Sequence, residues 1–418
     1  MVEAWTREHV EAESVEEAEQ IGQEVAQVVG HVVAETSIQQ LAGAVSYEGS
    51  SRPCACGRRA KFMGYRPRGI GTLCGVVEVR RAYYHCRHCG SGEIPWDVQQ
   101  GLSRRMWTPG VKALVCRVAA RLSYQESCEL LGELTPIRVE ESSAEFIVAE
   151  VGRRVRAREA AEMEQYLSGL VPLPEGRRPD RLYVAMDGSH AHIDGEWHEV
   201  KTGVIYEGVA DKSGPDESGA KHYVSAQDPA EMFGDRLFVA AAHCGVHRAQ
   251  EVVVIGDGAA WIWNLAKTHY PGATEIVDYW HACQHIHDLG KALYGEDSPQ
   301  GQRWAREHCK RLEHHGPVKL LRALKRMRPR TPEAAERVRL ETHYFRTNAH
   351  RMRYPALRKR GLMIGSGPAE AACKVVVGHR LKRAGMRWKR PGADCVLALR
   401  CRVLNRQYDD IRQLAKAA

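Results

Sequence analysis

The chain has 418 residues, 44% of them hydrophobic and 27% charged, with a formal net charge of +8. That length and apolar content support several cores, and two to four domains are expected. No apolar run approaches bilayer-spanning length, and Met1-Val2-Glu3-Ala4 lacks the basic start and apolar core of an export signal, so the expectation is a cytoplasmic protein without a membrane partner. Thirteen cysteines, an odd number scattered along the chain, predict reduced thiols with one metal site rather than a disulfide framework.

Residues 1–47 form an acidic N-terminal region. Val25, Val28, Val29, Val32 and Val33 recur there at helical spacing in a Glu- and Gln-rich background, which predicts an amphipathic helix that packs on the body or pairs with another copy. Residues 48–100 carry the clearest metal signal. Cys54-Ala55-Cys56-Gly57 is followed by Cys86-Arg87-His88-Cys89-Gly90, two close thiol pairs of the kind a tetrahedral structural Zn²⁺ requires. The alternation from Cys74 to Tyr84 between them suits ribbon strands. Cys-x-Cys is tighter than the usual ribbon spacing, so four unligated thiols are the competing reading, and His88 or Cys74 could replace a ligand. Arg58, Arg59, Lys61, Arg66 and Arg68 could meet phosphates or simply form a solvated face.

Residues 101–170 turn helical. Val111, Leu114, Val115 and Val118 line one face, a second helix runs from Tyr124 to Leu134, and a third from about Glu141 through Val155. Short helix, turn and longer helix outline a helix-turn-helix for reading DNA, and equally a plain helical bundle. Leu170 to Asp180, rich in Pro and Gly, reads as a linker.

The next region, 181–295, is predicted as the first part of a catalytic core. Arg181 to Ser189 is an apolar run ending in Asp187-Gly188, read as a strand that stops at the glycine. Glu251 to Gly258 repeats the pattern and closes on Asp257-Gly258 before a helix over Ala259 to Lys267. Each Asp-Gly can be a turn, but adjacent parallel strands would bring the two carboxylates together, which a cation between them makes tolerable. Trp197 to Tyr206, joined through Asp194-Gly195, is a second strand; Leu237 to Ala242 is a third; Ala273 to His281 is another that runs into a helix through Leu289. Residues 296–361 form a basic helical stretch, and 362–418 hold Gly365-Ser366-Gly367-Pro368-Ala369-Glu370 and basic helices. Glu370 is a third carboxylate ligand or a first-turn residue favoured by the helix dipole and Lys374. Arg380, Lys382, Arg383, Arg387, Trp388, Lys389 and Arg390 combine charge with an aromatic, suiting DNA contact or a solvated basic face.

In order along the chain, Cys54-Ala55-Cys56-Gly57, Ala82-Tyr83-Tyr84-His85-Cys86, Met186-Asp187-Gly188, Ile255-Gly256-Asp257-Gly258, Asp278-Tyr279-Trp280-His281-Ala282, Gly365-Ser366-Gly367 with Glu370, and Gly385-Met386-Arg387-Trp388 resemble bacterial insertion-sequence transposases of the Kra type. The chain also resembles the wider Mutator-like group. The similarity covers about Cys54 to Asp410. It implies an α/β, ribonuclease H-like mixed sheet with a helical insertion, in which Asp187, Asp257 and Glu370 form the acidic triad and Asp278-x-x-His281 is a shared signature.

Such a triad would hold two Mg²⁺ or Mn²⁺ ions, about 3.5–4 Å apart, which activate a nucleophile and stabilise a leaving alkoxide. The expected chemistry is hydrolysis at a transposon end, then attack of the freed 3′-hydroxyl on target DNA. Expected partners are double-stranded DNA, as transposon ends and target, and a second copy of the chain at least, in a cytoplasmic, nucleoid-associated protein. Two other classes compete: a catalytically inactive transposase-derived DNA-binding protein, and a metal-dependent hydrolase built on His281 and His285, four apart on a helix.

Overall fold

A computed structural model describes residues 11–102, 106–174, 177–209 and 217–416. They divide into two compact units, Met1–Arg154 with Gln407–Ala418, and Val155–Arg406. The fold is mixed α/β, with one sheet in each unit.

The first unit opens with helix α1 (Val15–Val45), whose N-cap Ser14 accepts a hydrogen bond from the Glu17 N–H. A four-stranded antiparallel sheet follows, in the order β1 (Ser51–Pro53), β2 (Arg59–Thr72), β3 (Gly75–His85) and β4 (Gly92–Glu93). β4 pairs with β3 only at Tyr84 and His85, so most of that edge of β3 has no partner strand. Helix α1 covers it with polar side chains. Glu35 accepts from the Glu78 N–H at 3.3 Å, Gln39 accepts from the Arg80 N–H at 2.9 Å, and His31 donates to the Cys74 carbonyl at 3.1 Å. This corrects the expected helix face. Val25, Val28, Val29, Val32 and Val33 are exposed, because the side of the helix that docks is the one that satisfies an open strand edge.

A short helix that the sequence does not predict, α2 (Pro95–Gln99), is followed by the three predicted ones, α3 (Pro109–Ala119), α4 (Tyr124–Leu134) and α5 (Glu141–Leu167). A reciprocal capping box between Ser123 and Glu126 starts α4. The third helix runs twelve residues past the expected Val155, carried by a Glu- and Arg-rich continuation that offers no breaker before Ser168. Buried Lys112 of α3 is held by Glu150 of α5 at 3.0 Å.

The second unit is built on a five-stranded sheet in the order β7 (Glu217–Ala226), β6 (Glu196–Val209), β5 (Arg181–Ile193), β8 (Glu251–Gly256) and β9 (Thr274–Val277). The first three are antiparallel and the last two run parallel to β5. β5 and β6 are joined by Asp194 at φ +52° and Gly195 at φ +91°, the left-handed pair that a tight hairpin favours. Two expectations are overturned here. β5 does not stop at Gly188 but continues to Ile193, paired with β6 throughout. Gly188 leaves room on this face for the Glu199 carboxylate of β6, which a side chain here would displace. Leu237 to Ala242 is not a strand but lies in α6 (Ala230–His243), where Phe233, Leu237 and Ala241 recur at helical spacing and all enter the core. The third strand is Glu217–Ala226 instead.

Helices α7 (Ala260–His269) and α8 (Tyr279–Tyr294) follow β8 and β9. The basic stretch forms α9 (Pro299–His315), α10 (Pro317–Arg326), α11 (Pro332–Thr347) and α12 (Tyr354–Lys359). The chain then returns through α13 (Gly367–Ala372), a π-helical turn over Cys373–Gly378 and α14 (Arg390–Leu404). Its last helix, α15 (Tyr408–Lys416), belongs to the first unit, where Arg117 of α3 lies over the Tyr408 ring at 4.0 Å.

Candidate functional site

The parallel register of β5 and β8 builds the site. Ala185 lies opposite Ile255, and the same offset of 70 residues separates Asp187 from Asp257, each two residues further on. β8 ends at Gly256 while β5 continues to Ile193, so Asp187 and Asp257 stand together where the sheet opens beyond the carboxyl end of β8. Asp187 is well desolvated. Burial pushes its carboxyl above the ordinary carboxylate range and the charge of Asp257 adds to this, against the Gly188 N–H at 2.7 Å, the Cys373 thiol and His281. Asp257 is fixed on both sides: its carboxylate accepts from the Ala259 N–H at 2.8 Å, and its backbone carbonyl accepts from the Tyr344 hydroxyl at 2.8 Å.

Asp278 is buried and works as a clamp. Its carboxylate caps α8 by accepting from the His281 N–H at 2.9 Å and also accepts from the Ser366 N–H, so one side chain ties the start of α8 to the loop before α13. His281 is thereby held close enough for its charge to act on both Asp187 and Glu370. Glu370 lies on α13 as expected but its carboxylate is largely exposed. Lys374, four residues on, binds it at 2.6 Å and holds its carboxyl below the ordinary range. Asp187, Asp257 and Glu370 therefore share a neighbourhood without converging: their oxygens do not all lie within 4.8 Å of one another.

His285 is occupied elsewhere. Its Nδ1 meets buried Glu341 at 2.8 Å and its ring stacks on Tyr344 at 3.9 Å, both on α11, and among the described residues it joins no cluster of three or more candidate ligands. Residues from the basic stretch thus reach the strand-end site, a contact that no local pattern signals. Cys373 and Tyr344 left no readable spacing signal either, whereas Lys374 is the partner that its four-residue spacing from Glu370 predicts.

The basic residues divide into two sets. Arg380 is fully buried with its guanidinium 4.7 Å from the centre of the Trp388 ring, itself 8% exposed. The Trp388 carbonyl accepts from the Asp194 N–H at 2.9 Å, fastening this segment to the β5–β6 turn. Neither side chain offers a surface for DNA, because the pair packs inward. Lys382, Arg387, Lys389 and Arg390 are exposed and Arg383 is half-buried. Lys382 contacts Ser189 at 2.5 Å, which places one of these cations beside the strand that carries Asp187.

In the first unit, Cys54, Cys56, Cys86 and Cys89 bring their sulfurs within 4.8 Å of one another, the only such cluster among the described residues. Cys54 faces Cys89 at 3.6 Å and Cys56 faces Cys86 at 3.7 Å. Each pair sits in a turn closed by a glycine with positive φ: Gly57 at +80° donates to the Cys54 carbonyl and Gly90 at +73° to that of Cys86. The Ser91 hydroxyl, 3.1 Å from Cys89, draws that thiol down to about 6, towards the thiolate a metal requires. Four convergent sulfurs fit a zinc ion. His88 and Cys74 stand outside the cluster.

A protein-family model matches residues 12–413, which spans both units. The chain belongs to the uncharacterised protein family UPF0236. No curated protein matches it. Among the described residues, no helix of this family member is long and apolar enough to cross a membrane.

Proposed function

We propose that this protein is a DDE-type DNA transposase, with Asp187, Asp257 and Glu370 as its catalytic carboxylates. The observation that carries the reading is the β5–β8 register, which sets a desolvated aspartate beside a second one at an open sheet end. Two like charges there are costly without a cation. The sheet order β7-β6-β5-β8-β9, three antiparallel strands continued by two parallel ones, supports a ribonuclease H-like core with α9 to α12 as its helical insertion.

Asp187 and Asp257 would hold Mg²⁺ or Mn²⁺, and Glu370 would join them on leaving Lys374. Bound there, the metal supplies an activated nucleophile and stabilises the leaving alkoxide of a phosphodiester. The chain's own part is orientation. Gly188 and Ala259 N–H groups aim the two aspartates, and Asp278 fixes the α8 terminus that carries His281. Lys382, Arg387 and Lys389 supply charge for the DNA backbone. The four cysteines would carry a structural Zn²⁺, and the protein would act on transposon ends and target DNA as a dimer or larger assembly.

The ion pair of Glu370 with Lys374 favours a second reading, a DNA-binding derivative that no longer cuts. One experiment separates the two. A labelled duplex carrying the DNA that flanks the gene is incubated with Mg²⁺, Mn²⁺ or chelator, using wild type and Asp187→Asn. Metal-dependent nicking at the ends, lost in the variant, is the expected result. Tight binding with no nicking in any metal sinks the transposase reading and leaves the derivative.

A further inference from the structure

Between α8 and α9 lies a cavity of about 440 Å³ that the proposed chemistry does not use; its Trp280 packs on Gly365, next to the Ser366 that Asp278 binds. Its floor is apolar and buried, made by Tyr279, Cys283 and Cys309. Its wall is Trp280, 69% exposed, and its rim is cationic, from Arg306 and Lys310 one turn apart on α9.

Trp280 is exposed but not loose. Its ring lies against Gly365, where an added Cβ would come within 3.1 Å of Cδ1, and it meets the Tyr279 ring edge-on with centroids 5.2 Å apart. An indole fixed by two contacts yet largely open to solvent is a stacking platform, and an exposed aromatic wall over an apolar floor marks a binding site. Cations at the rim select a ligand that carries phosphate next to its flat apolar part. A nucleotide has both. The cavity also falls within the range of roughly 300–1,000 Å³ typical of small-ligand sites.

We propose that this cavity receives one nucleobase unstacked from the DNA next to the phosphate to be cut, stacked on Trp280 with its backbone phosphate at Arg306 and Lys310. The proposal rests on the transposase reading for its substrate. A paired base hides its faces within the duplex, so an enzyme that grips one must extrude it. Trp280 is a positioning residue in this scheme: by holding the flanking base it fixes the adjacent phosphate against the site that His281 borders.

The test uses full-length protein and a duplex of the gene's flanking DNA in which 5-iodouracil replaces thymine at successive positions across the end. Irradiation is expected to join one position to Trp280, located by peptide mass. Trp280→Ala is expected to lose that crosslink and cut roughly tenfold more slowly, the scale of one lost base–aromatic stack. Trp280→Phe keeps most of the rate, and an abasic nucleotide at the crosslinking position restores cutting by Trp280→Ala. A merely structural role would not produce that rescue.

Crosslinks confined to other residues, or wild-type cutting by Trp280→Ala, overturn the proposal, as does free 5-iodo-dUMP labelling Trp280 without competition from duplex. A Trp280 crosslink in a protein that cuts no DNA keeps the pocket and removes the transposase reading. Cutting without that crosslink does the reverse.

Discussion

The two candidate metal sites are built on opposite plans. The four cysteines come from two turns at one end of a ribbon, each closed by a glycine, and their sulfurs already converge. The carboxylates come from β5, β8 and α13, and they do not: Asp187 and Asp257 stand together while Glu370 is held off by Lys374. The difference is the one that the proposed uses require. A structural ion needs a closed set of ligands and no substrate, so local turns suffice. A catalytic site must leave room for phosphate and water, and so it takes its groups from separate elements around an opening.

The sharpest way to break this contrast is to neutralise one carboxylate. Asp187→Asn or Asp257→Asn should lower metal-dependent DNA cleavage by at least roughly 10²–10³-fold, the scale of losing one preorganised charge-stabilising group. Binding of the same labelled duplex should persist, because the phosphate contacts proposed for Lys382, Arg387 and Lys389 do not involve either carboxylate. Near-wild-type cutting by either variant would remove that residue from the site.

The cysteine cluster makes the complementary prediction. The purified protein should carry one zinc per chain by colorimetric assay. Chelation or Cys86→Ser should release it and collapse amide protection around the β2–β3 hairpin, since such sites couple binding to folding. Full protection in metal-free protein would show that the ribbon does not depend on the ion.

A smaller effect tests the charge on β5. Burial and Asp257 raise the Asp187 carboxyl, so the fold prefers its neutral form. That preference is fully present below the unfolded side chain's value and is lost as pH rises through the folded one. Metal-free Asp187→Asn should therefore melt slightly above wild type at neutral pH. The gap should close in acid and when Mg²⁺ is added to wild type. A variant that melts lower at every pH would contradict the assignment of burial as the cause.

The smallest change concerns the outlying ligand. Lys374→Met should leave the melting transition within about 1 kcal/mol, because the Glu370 pair is exposed to solvent. The Mg²⁺ concentration that half-saturates cleavage should fall a few-fold as Glu370 is freed. An unchanged metal dependence would show that the ion pair does not hold Glu370 back.

Whatever rests on contiguous residues was legible in the chain before any fold was known. Apolar runs ending at Asp187 and Asp257, the paired cysteines with their glycines, and the helix starting at Tyr124 after Ser123 are local patterns, and each is found in the structure. The zinc-compatible cluster was legible because its two halves are short turns. Tertiary structure decided the rest. Only β6 could extend β5 past Gly188, and only the open edge of β3 could turn the valines of α1 outward. Whether Leu237 belongs to a strand or a helix was ambiguous in an apolar run and was settled by packing on the sheet. The placement of Arg380 against Trp388, His285 against Tyr344, and Glu370 towards Lys374 depends on which element a side chain meets. Contacts between residues distant in the chain leave no periodic trace in a single sequence.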